Sequence, residues 1–295
     1  MSDVTVIMSV HSEPLSFVKS SILSLQRQTL CDFQAIVILD DPCNKDAHNY
    51  LESIADVDNR FLYRENKKNM GLAASLNRAL SLCSTPFIAR MDADDIAHPD
   101  RLYRQLIFLQ DNENIAILGT GIETIDRISR SVGYRELPKR PDLLSKLVSF
   151  KAVCFHPTWM VRREVYCKLN GYRDFSRGQD LDFLLRATKA GFLVSNLSDH
   201  LLRYRIYEDR LDAKAMRYRL TNHMRIVSGQ DRALNARGHG FLFPYYIFLK
   251  GRRSANRVSK FFLFGLSALF SNVILKYLLG LAYARVLTKV YSDAP

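Results

Sequence analysis

The sequence predicts an α/β fold built on a mostly parallel sheet flanked by helices, and three observations predict it. Short β-branched runs alternate with segments of helical periodicity from Val4 to Leu109, the pattern of βαβ units. Three polar clusters, Ser9–Glu13, Asp40-Asp41 and Asp92–Asp95, each follow an apolar run, and open α/β sheets bind ligands beyond the carboxyl ends of their strands. The chain has 295 residues, 47% of them hydrophobic, enough to bury a full core.

The elements follow in order. VTVIMSV at 4–10 is the first strand, and residues 14–28 place Leu15, Val18, Ile22 and Leu25 at helical spacing after Ser12-Glu13-Pro14. AIVIL at 35–39 is a strand ending at Asp40-Asp41-Pro42. A helix over 44–55, a short FLYRE run at 61–65 and a helix over 72–82 after Met70-Gly71 come next. FIARM at 87–91 is another strand, and Pro99 opens a helix with Leu102, Leu106 and Leu109 on one face. After Gly119 the pattern is mixed. It holds Arg- and Pro-rich turns at 137–141, a strand-like TWMVR at 158–162, a turn at Gly171 and a helix from Gln179 to about Ala190. LLRYRIY at 201–207 reads as a strand and 213–228 as a basic helix.

Charge is distributed unevenly. Residues 1–200 balance 25 Lys and Arg against 25 Asp and Glu, whereas residues 201–295 carry 17 against 5, so the whole net charge of +12 lies in the last third. The five cysteines show no C-x-x-C pairing, which argues against a disulfide framework or a zinc site and for a reducing compartment. The N-terminus runs directly into a strand without a basic leader, so a cytoplasmic location is expected.

The acids of FIARMDADDIAHPDRL stand out in a basic chain. In an extended segment residues two apart share a side, so Asp92 and Asp94 can aim both carboxylates at one point, an arrangement suited to an oxygen-seeking divalent cation. The alternative is a solvated loop that caps the helix near Pro99, with Asp95 or His98 at its start. The chain has no G-x-x-x-x-G-K-[ST] and no G-x-G-x-x-G, so a P-loop or a dinucleotide-binding turn is not expected. Any phosphates would be held by a metal and not by a glycine nest.

In order along roughly residues 3–208 stand VTVIMSVHSEP, SLQRQTLCDFQAIVILDD, NMGLAASLNRAL, FIARMDADDIAHPDRL, HPTWMVRREV, GYRD, GQDLDFLLRATKAGF and LLRYRIY. This series resembles the family 2 glycosyltransferases of GT-A fold, particularly bacterial enzymes that build O-antigen and capsule repeats. The resemblance implies that the first two clusters hold the uridine of a sugar nucleotide, with Glu13 in the first, His11 against the uracil face and Asp41 accepting the uracil N–H. It places Asp92 and Asp94 on the ribose and on Mn²⁺ or Mg²⁺ at the diphosphate, Asp94 in direct metal contact and Asp95 beside them.

The resemblance also makes Asp180 the base of an inverting transfer, with Gln179 where the family usually has Glu. Asp182 reads as a solvated or capping acid. Tyr207 stands where relatives often carry His, so no histidine ligand is expected there. His156 and Trp159 fall near the expected donor–acceptor junction, Trp159 either stacking on a sugar or packing in the core. Arg203 and Arg205 either neutralise the diphosphate or lie on solvated surface.

The tail weaves Lys, Arg and aromatic residues through apolar sequence. Phe261–Leu275 is shorter than the about 20 residues a spanning helix needs, so helices lying in the membrane interface fit better. A helical core subdomain is the alternative; the tail is too apolar for a nucleic-acid surface.

The expectation is therefore a GT-A domain over 1–210 and a basic, amphipathic, membrane-associating helical region over 211–295. Its activity would be metal-dependent, inverting transfer of glucose or galactose from a uridine diphosphate sugar to an N-acetylhexosamine-diphospho-undecaprenol. It would work peripherally on the cytoplasmic face of the bacterial inner membrane and take no nucleic acid. The rival readings are a nucleotidyltransferase and a catalytically inactive membrane-bound scaffold.

Overall fold

The computed structural model describes residues 2–149, 152–175 and 178–207. The expected basic helix over 213–228, the membrane-associating region over 211–295 and the boundary near residue 210 lie outside the described residues. Met1–Ser145 and Ala152–Tyr207 form one compact unit, which holds every residue of the candidate site.

In the first half strands and helices alternate as expected: β1 (Val4–Val10), α1 (Leu15–Gln26), β2 (Phe33–Leu39), α2 (Lys45–Val57), β3 (Phe61–Glu65), α3 (Leu72–Ser81) and β4 (Phe87–Arg90). β1 pairs in parallel with β2 and β4, and β2 with β3. Val4, Val6, Ile7 and Met8 are all buried, because a parallel sheet is covered on both faces; that is why these strands read as continuous apolar runs. Val18, Ile22 and Leu25 of α1 join the same core as the even-numbered residues of β1.

The second half contains β5 (Ile96–Ala97), α4 (Arg101–Asp111), β6 (Ile115–Ile125), β7 (Ser131–Arg135), α5 (Pro141–Leu147), a 3₁₀ turn (His156–Thr158), β8 (Met160–Arg162), α6 (Arg163–Leu169), α7 (Gln179–Lys189) and β9 (Leu193–Arg205). Among the described residues the sheet runs β3-β2-β1-β4-β8-β6-β9-β5, with β7 paired to β6. Here the pairing is mixed: β8 is antiparallel to β4 and β6, β7 to β6 and β5 to β9, while β6 and β9 are parallel.

The parallel arrangement read from the sequence thus holds for the first four strands. β6 and most of β9 escape an apolar pattern because polar and glycine residues interrupt them. Asn196 is buried inside β9, where its amide donates to the Pro138 and Val153 carbonyls at 2.7 and 2.8 Å. A Cβ at Gly121 would sit 2.9 Å from the Ser198 carbonyl, so only glycine allows the close approach at that register shift.

This sheet brings three strand ends to one edge. Val10 lies opposite Leu39 and Ile7 opposite Arg90. Asp40 N–H continues the ladder onto the Val10 carbonyl (2.7 Å), and Met91 N–H onto the Ile7 carbonyl (3.2 Å). The segments after β1, β2 and β4 therefore begin side by side.

Candidate active site

The loop after β4 is anchored from below by buried polar side chains. Gln28 donates to the Ser24 and His98 carbonyls and accepts from Leu102 N–H, tying the end of α1 to the start of α4. Gln105 donates to the Leu118 and Thr158 carbonyls, and Arg101 donates to Gln105 and, at 2.6 Å, to the Arg90 carbonyl. Each of these side chains has hydrogen-bond partners that fix the loop backbone, although burying the Arg101 guanidinium without a carboxylate partner among the described residues is costly and lowers its pKa to about 9.

On that base stand Asp92, Asp94 and Asp95, with one carboxylate oxygen from each within 4.8 Å of the others. Asp92 is the most exposed and pairs with Arg90 Nη2. Asp94 is nearly buried and accepts from the Tyr207 hydroxyl at 2.8 Å. Asp95 is fully buried; its Oδ1 accepts from Arg205 N–H at 2.8 Å, while Oδ2 has no hydrogen-bond partner. Burial first, then the charges of Asp92 and Asp94, push the Asp95 carboxyl well above the usual carboxylate range. An all-oxygen donor set with an uncompensated buried oxygen fits Mg²⁺ or Mn²⁺, which would relieve both the repulsion and the unmet acceptor. Asp95 caps no helix: its Oδ1 is taken by Arg205 N–H, and the first turn of α4, which begins at Arg101, is met by Gln28.

The first polar cluster faces the same acids. Glu13 accepts from His11 N–H at 2.6 Å, and burial, with Asp94 and Asp92 adding, raises its carboxyl against that bond. His11 meets Asn69 through Nε2 at 3.4 Å, and its carbonyl accepts from Asn44. The second cluster divides its labour. Asp40 is buried and accepts from Asn66, Met70 N–H and Gly71 N–H, so it builds the turn before α3. Asp41 is half-buried and accepts from Cys43 N–H, an Asx turn that leaves the residue at the sheet edge.

Asp180 opens α7 after Gly178, whose φ of 92° suits glycine. Burial raises its carboxyl, Leu181 N–H and Arg90 oppose the rise, and Asp92 adds to it. Asp180 and Asp92 therefore share one field, with Arg90 acting on both. Gln179 is buried beside it.

Arg90 was not singled out by the sequence reading. It is 2% exposed, and its Nε and Nη1 have no hydrogen-bond partner. Burial works against its charge, but Asp92, followed by Tyr172 and Asp95, holds it protonated. A signal was available: a cation ending an otherwise apolar strand two residues before an acid can share a side with it.

Burial bears on four other readings and, for Trp159, selects the second of the two alternatives left open. Trp159 is 0% exposed and packs against His156 (4.6 Å) and Phe183 (5.9 Å), so it belongs to the core and cannot stack on a sugar. His156 is buried with Nε2 paired to the Tyr172 hydroxyl at 2.9 Å; burial and Arg90 lower its pKa and keep it neutral. Asp182 is not solvated but buried, bound to Arg186 at 2.7 Å, and Arg186 in turn donates to the Leu169 and Gly171 carbonyls. Arg203 and Arg205 lie on an inner strand and serve the fold: Arg203 pairs with Glu123 (3.1 Å), and Arg205, 1% exposed, donates to the Asp94, Asp126 and Arg127 carbonyls.

Known proteins are similar to this chain in sequence and in fold. The model of glycosyl transferase family 2 matches residues 5–169. An uncharacterized glycosyltransferase of Methanocaldococcus jannaschii is 33% identical over 69% of this chain and 70% of its own. The O-antigen biosynthesis glycosyltransferase WbnJ of Escherichia coli is 31% identical over 73% of this chain and 84% of its own. A UDP-Gal:alpha-D-GlcNAc-diphosphoundecaprenol beta-1,3-galactosyltransferase of Escherichia coli is 26% identical over 71% and 78%.

Among solved structures, Staphylococcus aureus TarS residues 1–349 with UDP-GlcNAc superposes at a TM-score of 0.61 and 15% identity, over 97% of this chain and 88% of that one. This chain spans 55% of the longer TarS. The mannosyltransferase PcManGT of Pyrobaculum calidifontis, in complex with GDP-Man and Mn²⁺, superposes at 0.57 and 13% identity, over 98% and 79%. At these identities the superpositions establish the fold, a GT-A-type α/β architecture.

Proposed function

The chain belongs to glycosyl transferase family 2, and from that membership we propose that it transfers a hexose, glucose or galactose, from a uridine diphosphate sugar to an N-acetylhexosamine carried on diphospho-undecaprenol. The transfer inverts the α-linked donor and leaves a β-linkage in an O-antigen repeat unit. The observation that carries this reading is the set of Asp92, Asp94 and Asp95 at the carboxyl edge of the parallel strands, coupled through Arg90 to Asp180. The galactosyltransferase relative acts on an acceptor of this class, and TarS binds UDP-GlcNAc, which supports the choice of donor and acceptor.

Each residue then has a task. His11, Glu13 and Asp41 line the strand ends where the uridine would lie, and Asp92 takes the ribose. Asp94 and Asp92 would hold Mn²⁺ or Mg²⁺, which when bound supplies Lewis-acid stabilisation of the departing diphosphate. Asp180 removes the proton from the acceptor hydroxyl as that oxygen attacks the anomeric carbon. Arg90 favours the ionised form that Asp180 needs. Gln179 keeps a hydrogen-bonding amide where the family's Glu would add a second negative charge next to the base.

Among the described residues no helix is long and apolar enough to cross a membrane. The basic region beyond residue 210 is proposed to dock on the cytoplasmic face of the inner membrane and so bring the site to its lipid-borne acceptor. The test is transfer from a panel of uridine diphosphate sugars to synthetic N-acetylglucosamine- or N-acetylgalactosamine-diphosphate lipids, with Mn²⁺ and with chelator. Metal-dependent product from one donor is expected. UDP binding without turnover on either acceptor would overturn the acceptor assignment.

A further inference from the structure

The end of β9 braces the acid cluster from one side. Arg205 gives its backbone N–H to Asp95 Oδ1 (2.8 Å) and its Nε to the Asp94 carbonyl (2.9 Å), so one residue fixes both positions of the loop. Two residues on, the Tyr207 hydroxyl donates to Asp94 Oδ2 at 2.8 Å. Arg127, in the turn between β6 and β7, lies over the Tyr207 ring, 5.5 Å from its centroid. The same turn receives the Arg205 guanidinium through the Asp126 and Arg127 carbonyls and Ser129 Oγ. The phenol is thus steadied on its face and aimed at a single carboxylate oxygen.

We propose that Tyr207 is a positioning residue for the divalent cation: its hydroxyl fixes the plane of the Asp94 carboxylate so that the acid cluster meets the cation already oriented. The inference rests on the metal-dependent reading above. A carboxylate turning freely about its Cβ–Cγ bond must be immobilised when a cation binds, and a hydrogen bond from outside the coordination sphere meets that cost in advance. A ring present only for packing would have no use for the hydroxyl. Tyr207→Phe keeps the ring and its contact with Arg127 and removes the hydroxyl with its bond to Asp94.

The test follows Mn²⁺ binding to the full-length chain by the electron paramagnetic resonance signal of the free ion, with UDP present. For Tyr207→Phe the Mn²⁺ Kd should rise about tenfold, in line with the loss of partners that orient ligating groups. UDP binding without metal and the Tm should be unchanged. Arg127→Ala, which frees the ring but keeps the hydroxyl, should weaken Mn²⁺ less than Tyr207→Phe does.

An unchanged or tighter Kd in Tyr207→Phe overturns the inference alone, because wild-type Mn²⁺ binding leaves the metal-dependent reading intact. Wild type that binds UDP but no Mn²⁺ overturns both. A Tyr207→Phe chain that loses Mn²⁺ affinity together with Tm and metal-free UDP binding overturns the positioning role in favour of a structural one.

Discussion

The two halves of the sheet use their polar residues differently. In β1, β2 and β4 the apolar strands stop and the polar residues follow, so His11, Asp41 and Asp92 stand at the edge where the parallel strands end. In β6, β8 and β9 the strands run on through polar positions, and those side chains are spent inside the protein: Asn196 on loop carbonyls, Arg162 on the Leu109 and Ile115 carbonyls, Arg205 on the loop of acids. Past a parallel strand a polar residue can stand at the open edge, as Asp41 and Asp92 do, although Asp40 is spent on the turn before α3. One within a mixed sheet first has to be satisfied, and its identity then reports on architecture.

The largest effect that could break this comparison is at the edge itself. Asp94→Ala should abolish nearly all transfer, about 10³-fold or more, by removing a carboxylate from a clustered oxygen site. The check is product formation across a Mn²⁺ titration, and activity restored at high Mn²⁺ without Asp94 would remove it from the metal site. Asp180→Asn follows at about 10²- to 10⁴-fold in kcat, the usual worth of a general base, with UDP binding intact. Because burial raises the Asp180 pKa, the acid-side fall in wild-type activity should come at a higher pH than an unburied aspartate would give. Retained turnover in Asp180→Asn would dismiss it as the base.

The opposite expectation holds for the buried half. Trp159→Ala should cost about 3–5 kcal/mol of stability, the range for emptying a large aromatic site. Measured below its lowered Tm, the variant should keep a near-normal KM for donor and acceptor. A raised KM at unchanged Tm would mean that the ring touches substrate and that the buried half is not merely architectural.

This division also explains what the sequence disclosed. The first four strands are legible because double-sided burial writes an apolar run for each, and the turn after each run announces itself by its polar residues. The acid cluster was legible for the same reason. β6 and the first part of β9 were not, because Gly119, Gly121, Asn196 and Ser198 interrupt any period of two while close backbone approach and side-chain-to-loop bonds keep the strands paired; the end of β9 was read as a strand in LLRYRIY. Asp182 reads as solvated because the sequence shows Arg186 one turn on but not the burial of the pair, and Trp159 stays between core and sugar because only the packing of α7 brings Phe183 to it. The bond from Tyr207 to Asp94 was not legible because its partners lie far apart in the chain, whereas Arg90 left the two-residue spacing to Asp92 as its trace.

A smaller effect sharpens the comparison further by testing the other end of the parallel strands. Asp58 and Arg60 precede β3, away from the carboxyl edge, and they form a closed pair: Asp58 accepts from Arg60 Nε (2.9 Å), Arg60 Nη2 (2.8 Å) and Gln26 (3.2 Å). The bonds from Arg60, then Gln26, lower the Asp58 carboxyl from 3.8 to about 2 against the opposing effect of burial. The folded pKa lies below the unfolded one, so the stabilisation is present above about pH 4 and is lost as the pH falls through about 2. Its size is about 2 kcal/mol at neutral pH. Asp58→Asn should lower the urea midpoint at pH 7, the gap from wild type should narrow steadily toward pH 3, and transfer activity should not change. A gap that stays constant with pH would place the residue's worth in packing instead of charge. A loss of activity at full stability would mean that the amino ends of these strands also reach the site, and the distinction between the two edges would fall.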